Sequence, residues 1–124
     1  MCTCIDFQTK DHYFGRNLDL EYRFEEKVVI TPRNYGFELK NGSVIRTSHA
    51  MIGMASLRDC YPLYAEATNE KGLSMAGLNF PVSARFGAPD PSKFNLTPYE
   101  LIPYFLGLYA TVAQIRPILS DLNI

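Results

Sequence analysis

The chain has 124 residues, 47% of them hydrophobic and 20% charged, with a formal net charge of -1. That is enough chain for one domain with a core. The near-neutral balance argues against a nucleic-acid or anionic-membrane surface, which needs a basic excess. Three cysteines are an odd count, unsuited to a disulfide framework, and a reducing cytoplasm is the simplest home for them. No signal peptide is expected, because no basic n-region precedes an apolar core and a cleavage site. The longest mostly apolar run, Leu101 to Ala113, is too short to span a bilayer, so no membrane insertion is expected.

The chain opens on Met1-Cys2. If Met1 is removed, Cys2 carries both a thiol and a free α-amine. A thiol titrates at about 8.5 and an α-amine at about 7.7–8.0, so the amine can accept the thiol proton near neutrality. A nucleophile activated by its own terminal amine is one solution to covalent catalysis. The dipeptide alone is more often a start codon followed by an ordinary buried strand cysteine.

Residues 2–9 alternate, with Thr3, Ile5 and Phe7 on one strand face and Cys2, Cys4, Asp6 and Gln8 on the other. A turn over Lys10-Asp11-His12 and a returning strand over residues 13–19 predict a hairpin. That hairpin brings Arg16 and Asp19 back toward Cys2. Gly15 within the strand suggests a bulge or a close backbone approach. Residues 22–26 show no period. A short strand over Val28 to Thr31 stops at Pro32. Tyr35–Leu39 and Val44–Thr47 pair across Asn41-Gly42, read as a two-residue turn. Strands follow over Met51–Ser56, Leu63–Thr68 and, after the turn Asn69-Glu70-Lys71-Gly72, over Leu73–Asn79. Residues 82–96 read as a surface loop.

The period then changes. Thr97-Pro98-Tyr99-Glu100 has the form of a capping box with Pro at the first helical position, predicting a helix to about Ala110. Thr111 to Gln114 repeats the box for a second helix to about Leu122. Pro103 and Pro117 are expected to kink these helices. Strands first and helices after predict an α+β fold, with helices laid on antiparallel sheet. So few elements leave strand edges and an apolar face open, which predicts association, most simply as a homo-oligomer, and an incomplete domain over residues 1–124.

Five motifs then stand together: Met1-Cys2-Thr3; Phe14-Gly15-Arg16-Asn17-Leu18-Asp19; Thr31-Pro32-Arg33; Asn69-Glu70-Lys71-Gly72-Leu73; and Ala76-Gly77-Leu78-Asn79-Phe80-Pro81. In this order and spacing the chain resembles the N-terminal portion of the choloylglycine hydrolase family, the bile-salt hydrolases and penicillin V acylases. The resemblance implies the N-terminal part of an αββα sandwich of the N-terminal-nucleophile hydrolase type. It implies Cys2 as nucleophile, Asp19 holding its amine, Arg16 beside the thiol and Asn79 in the oxyanion hole. Asn at the Asn79 position goes with bile-salt hydrolases and Tyr with penicillin acylases. The implied substrate is therefore a glycine- or taurine-conjugated bile salt, with a penicillin V-type amide as the alternative. Leu18, Leu57 and Ala65 fall at positions that resemble the family's substrate pocket, and Arg58 falls where some members place an aromatic residue. The family's site also draws a second Asn and a second Arg from a later part of its chain, beyond these residues. No metal or organic cofactor is implied, since sulfur and amine complete the proton inventory.

Each residue also has a plainer reading. Without the resemblance, Arg16 and Asp19 are more usually a solvated or ion-paired surface, Asn79 is as readily a turn former, and the apolar trio is what core packing would give. Cys4 is either an inert buried thiol or a partner for oxidation of Cys2. Two other functions compete. One is a metal or redox module on Cys2, Cys4, Cys60, His12 and His49, whose spacing is poor for zinc. The other is a non-catalytic fragment of such a hydrolase.

Overall fold

A computed structural model describes residues 2–21, 23–80 and 82–124. Expectations that rest on Met1, Tyr22 and Pro81 lie outside the described residues. Strand β1 (Thr3–Gln8) pairs antiparallel with β2 (His12–Asn17). The register is regular, with Ile5 opposite Gly15. The bulge expected at Gly15 is absent, and a Cβ there would meet only the Ile5 side chain at 3.7 Å. The face carrying Ile5 and Phe7 is exposed, while Cys2 and Cys4 on the other face are half-buried.

The central sheet has the order β3-β6-β7-β8, built from β3 (Lys27–Thr31), β6 (Met51–Arg58), β7 (Tyr61–Asn69) and β8 (Ser74–Ala76), all antiparallel. β6 and β7 run longer than the sequence suggests. They meet through Asp59 and Cys60, whose φ values of 49° and 67° are left-handed. That two-residue turn lacks the glycine that usually marks one, and the Tyr35 hydroxyl donates to the Cys60 carbonyl at 2.8 Å to pin it. Gly53 is obligatory: a Cβ there would lie 2.0 Å from the Glu66 carbonyl on β7.

The register slips between Met54 and Ala55, because Met54 faces Glu66 while Ala55 faces Tyr64. Ala65 is the extra residue of this β-bulge. Its effect is to switch the buried parity of β7: Pro62 and Tyr64 are buried before it, Ala67 and Asn69 after it.

The small sheet of β4 (Gly36–Glu38) and β5 (Val44–Arg46) is the hairpin expected around Asn41-Gly42. Its loop is longer than two residues. The Gly42 N–H donates to the Leu39 carbonyl and the Leu39 N–H to the Ser43 carbonyl, with Gly42 at φ 84°. The Lys40 N–H is drawn off by the buried Glu100 carboxylate at 2.6 Å.

Helix α1 (Leu101–Leu108) follows a 3-10 turn over Pro98–Glu100. It packs on β5, β7 and β8, and Ile102, Phe105 and Leu106 enter the core with Phe37, Met51, Ala67 and Leu73. Pro103 falls in the first turn of α1, where the N–H has no intrahelical partner, so it costs no bond there. The first capping box is half made: Glu100 accepts from the Thr97 N–H at 2.7 Å, but Thr97 Oγ1 has no partner among the described residues. The second is complete, Thr111 accepting from Gln114 N–H and Gln114 from Thr111 N–H. Yet α2 (Val112–Ile115) is one turn long and gives way to a 3-10 segment over Arg116–Asp121. Pro117 removes the N–H that would continue the α-helix. The region read as a loop contains β9 (Phe94–Asn95), which pairs in parallel with β10 (Leu122–Asn123). Strands of two residues leave no alternation to detect. Among the described residues no helix is long and apolar enough to cross a membrane.

Candidate active site

β1 and β2 place Cys4 directly opposite Arg16, so the strand pleat aims Cys2, Cys4 and Arg16 to one face. The Arg16 side chain is only 2% exposed. Its Nη1 donates to Glu66 Oε2 on β7 at 3.1 Å and its Nη2 to the Gly77 carbonyl at 2.7 Å. Nε is buried without a partner among the described residues. Gly77 is itself fixed, its N–H donating to the carbonyl of the bulge residue Ala65 at 2.8 Å. One guanidinium thus ties the hairpin to the central sheet and to the segment leading to Asn79.

The Cys2 sulfur lies 4.0 Å from the Asp19 carbonyl oxygen. Its thiol is held below the ordinary thiol range, first by backbone hydrogen bonding at Asp19. Partial burial opposes this, while the Asn79 backbone, the Arg16 charge and the charged chain terminus add to it. The Asp19 carboxyl is held below its usual range by a hydrogen bond from the charged amino terminus and by that charge itself. Four residues singled out from the sequence are therefore brought together: Cys2, Arg16, Asp19 and Asn79. What Asn79 brings to the sulfur is its backbone, and the residue is exposed.

Two mostly apolar cavities share the buried Tyr64 as a wall; Asn79 lines one of them, and Leu18 and Leu20, either side of Asp19 in the chain, line the other. The first, of about 310 Å³, is lined by Leu18, Leu20, Phe24, Leu63 and Ala65 among others. The second, of about 550 Å³, is lined by Gly77, Leu78, Asn79, Phe80 and Phe86 among others. Leu18 and Ala65 therefore share one cavity wall. Leu57 does not line it. Ala55, Ser56 and Arg58 of the same strand do line it, while Leu57 is left 46% exposed outside the cavity. Sequence reasoning missed Leu20, Phe24 and Tyr64, since residues 22–26 carry no period and Tyr64 looks like any strand aromatic.

The residues of the metal reading are not gathered. His49 precedes β6 and Cys60 follows it, so a strand of about 25 Å separates them. His12 instead contacts Asp6 and His49 sits 3.9 Å from Glu70. Among the described residues no three His, Cys, Asp or Glu side chains are grouped to hold a metal.

Residues 2–124 match the family model of the linear amide C–N hydrolases, choloylglycine hydrolase family. The chain belongs to the choloylglycine hydrolase family. Over its whole length it is 42% identical to a bile salt hydrolase/transferase from Lactiplantibacillus plantarum, of which it covers 38%. It is 38% identical to the enzyme of the same description from Clostridium perfringens, of which it covers 39%. All of its fold superposes on a variant of the conjugated bile acid hydrolase from Clostridium perfringens, with a TM-score of 0.91, 38% identity and 39% of that chain covered. A second variant of that protein gives 0.89 at 35% identity. The α+β arrangement is therefore the N-terminal portion of this family's N-terminal-nucleophile hydrolase sandwich. The chain spans about two fifths of the length of the curated relatives it matches.

Proposed function

We propose that this choloylglycine hydrolase-family chain carries the nucleophile half of an amidase acting on glycine- or taurine-conjugated bile salts. The observation that carries the reading is the gathering of a lowered-pKa Cys2 thiol, the buried Arg16 guanidinium and the Asp19 carboxylate, with an apolar cavity lined by Leu18 and Leu20 on either side of Asp19 in the chain. With Met1 removed, the Cys2 amine takes the thiol proton. The thiolate attacks the amide carbonyl, forming the C–S bond and a tetrahedral oxyanion that Asn79 helps to hold. Collapse breaks the C–N bond, and the Cys2 ammonium gives its proton to the departing nitrogen. Water then adds to the thioester, yields its proton to the amine, and displaces the sulfur to leave the free acid. Asp19 orients the ammonium throughout, and Arg16 keeps the sulfur anionic.

Asn79 rather than Tyr favours bile salts over the penicillin V-type alternative. The reduced state of all three cysteines, Cys2, Cys4 and Cys60, suits a cytoplasmic enzyme. Exposed Ile5, Phe7, Val28 and Ile30 support self-association of the chain, which sedimentation analysis tests directly. The reading of the chemistry is tested by assaying release of glycine, taurine and the penicillin V side-chain acid, alongside intact mass. Release of glycine or taurine by chains lacking Met1, abolished by Cys2→Ala, is expected. An active chain that retains Met1 would rule out the terminal-amine mechanism, and no release at all would favour a non-catalytic fragment.

A further inference from the structure

The Leu18–Ala65 cavity has an unexplained cation at its far end. Ala65 marks the sulfur end, because its carbonyl holds Gly77, which in turn holds Arg16. Arg58 marks the other, opposite Tyr61 at the tip of the β6–β7 hairpin. Four residues of antiparallel strand, from Ala65 to Tyr61, separate the two ends by about 13–14 Å.

Arg58 is exposed and has no hydrogen-bond or ion-pair partner among the described residues, unlike Arg16, Arg33 and Arg46, which are all engaged. Its backbone is fixed by the pinned Asp59-Cys60 turn. One carboxylate, Glu26, also lines the cavity and keeps its negative charge; its Oε1 accepts the Phe24 N–H at 2.9 Å, and it forms no ion pair with Arg58. Arg58 and Leu63 form the partition to a neighbouring cavity of about 500 Å³, where Lys40 adds a second positive charge, Glu38 and the buried Glu100 add negative ones, the Glu100 oxygens being taken up by the Lys40 and Thr97 N–H groups, and the buried Tyr61 hydroxyl has no partner among the described residues. An apolar trough that ends on a free guanidinium, with an unused hydroxyl just beyond, suits a long apolar group with an anion at its tip.

We propose that Arg58 is a specificity residue that selects acyl groups carrying an anionic substituent, such as a sulfate ester, at the end remote from the scissile amide. The inference rests on the amidase reading only for which end of the substrate lies at Cys2.

Binding separates the two. The probe is a free steroid acid bearing a sulfate ester on the ring furthest from its carboxyl side chain, compared with its unsulfated parent. Calorimetry on the full chain should show the sulfated acid binding at least about tenfold tighter, with the advantage shrinking as salt rises. Arg58→Ala should bring the two affinities together, Arg58→Glu should reverse their order, and Arg58→Lys should restore part of the preference. Circular dichroism should show all three variants folded, since the side chain is exposed. Equal affinities in the wild type, or a preference that survives Arg58→Ala, overturns the proposal, as does failure of both acids to bind. A chain that shows the preference but cleaves no conjugate counts against the amidase reading and leaves the role of Arg58 standing.

Discussion

Arg16 on the hairpin donates to Glu66 on the central sheet at 3.1 Å, across fifty residues of sequence. The bond joins two sheets that share no strand ladder, and it sets where the sulfur stands. Arg16→Ala should therefore do two things. It should cost about 3 kcal/mol of stability, because the largely buried Glu66 carboxylate loses its partner. It should also raise the Cys2 thiol pKa, since one of the influences lowering it is gone. Iodoacetamide alkylation at pH 7 should slow, and its rate profile should move to higher pH. An unchanged profile in the folded variant would separate Arg16 from the thiol.

The oxyanion-hole role proposed for Asn79 is one that acts in the transition state rather than in binding. Asn79→Ala is expected to lower kcat by about 10²–10³-fold with little change in KM. Asn79→Gly should behave the same if the side chain matters. If both variants keep full kcat, the backbone alone serves the sulfur, and the side chain has no part in the oxyanion hole.

Asn69 is a structural joint. Its amide donates to the Leu106 and Tyr109 carbonyls at the end of α1, at 2.9 and 2.7 Å. Its carbonyl accepts from the Lys71 and Leu73 N–H groups, at 3.0 and 3.1 Å. All four places are used and the residue is 3% exposed. Asn69→Ala should destabilise by about 3 kcal/mol, measured by urea denaturation. Asn69→Asp should be similarly harmful, because a carboxylate cannot donate to two carbonyls. A loss below about 1 kcal/mol would mean that other groups satisfy the helix end.

Glu70 and Arg33 join two of the motifs named from the sequence. Arg33 Nε donates to Glu70 Oε1 at 2.7 Å, and that oxygen also accepts the Ala50 N–H. The Arg33 hydrogen bond, reinforced by the Ala50 N–H and the Arg33 charge, brings the Glu70 carboxyl down to about 2. A depressed carboxylate pKa stabilises the fold above the unfolded-state value of about 4.5 and loses that contribution as pH falls toward 2. The wild type should lose stability through this window, and Glu70→Gln should flatten that part of the curve. Identical curves for the two proteins would remove the pair as a source of acid sensitivity.

The parts legible in the sequence were those with local signals. Alternation gave β1, β2 and the core of β6 and β7; Asn41-Gly42 gave a hairpin; the Thr111 box gave the start of α2. Local signals failed where distant residues decide. Glu100 takes the Lys40 N–H and so lengthens the turn beside it. Gly15 is an ordinary paired residue, while the bulge falls at Ala65, which nothing nearby announces. Leu57 lies on a strand whose Ala55, Ser56 and Arg58 line the cavity, yet it stays outside, beside the register slip that breaks simple alternation. Cys2 was legible from the Met1-Cys2 dipeptide, and Arg16 and Asp19 from the hairpin that returns them toward it; their roles, and Asn79, came through resemblance. Their proximity depends on Glu66 and Gly77, which hold Arg16 from another sheet.

The single added residue at Ala65 also constrains how this chain can be recombined with its relatives. Upstream and downstream halves of β7 keep opposite inside–outside phases, so a chimera keeps both only if its parents share the extra residue. Deleting Ala65 would turn Ala67 and Asn69 outward and release the carbonyl that steadies Gly77. Breakpoints in the exposed turn at Lys71-Gly72 disturb no such phase.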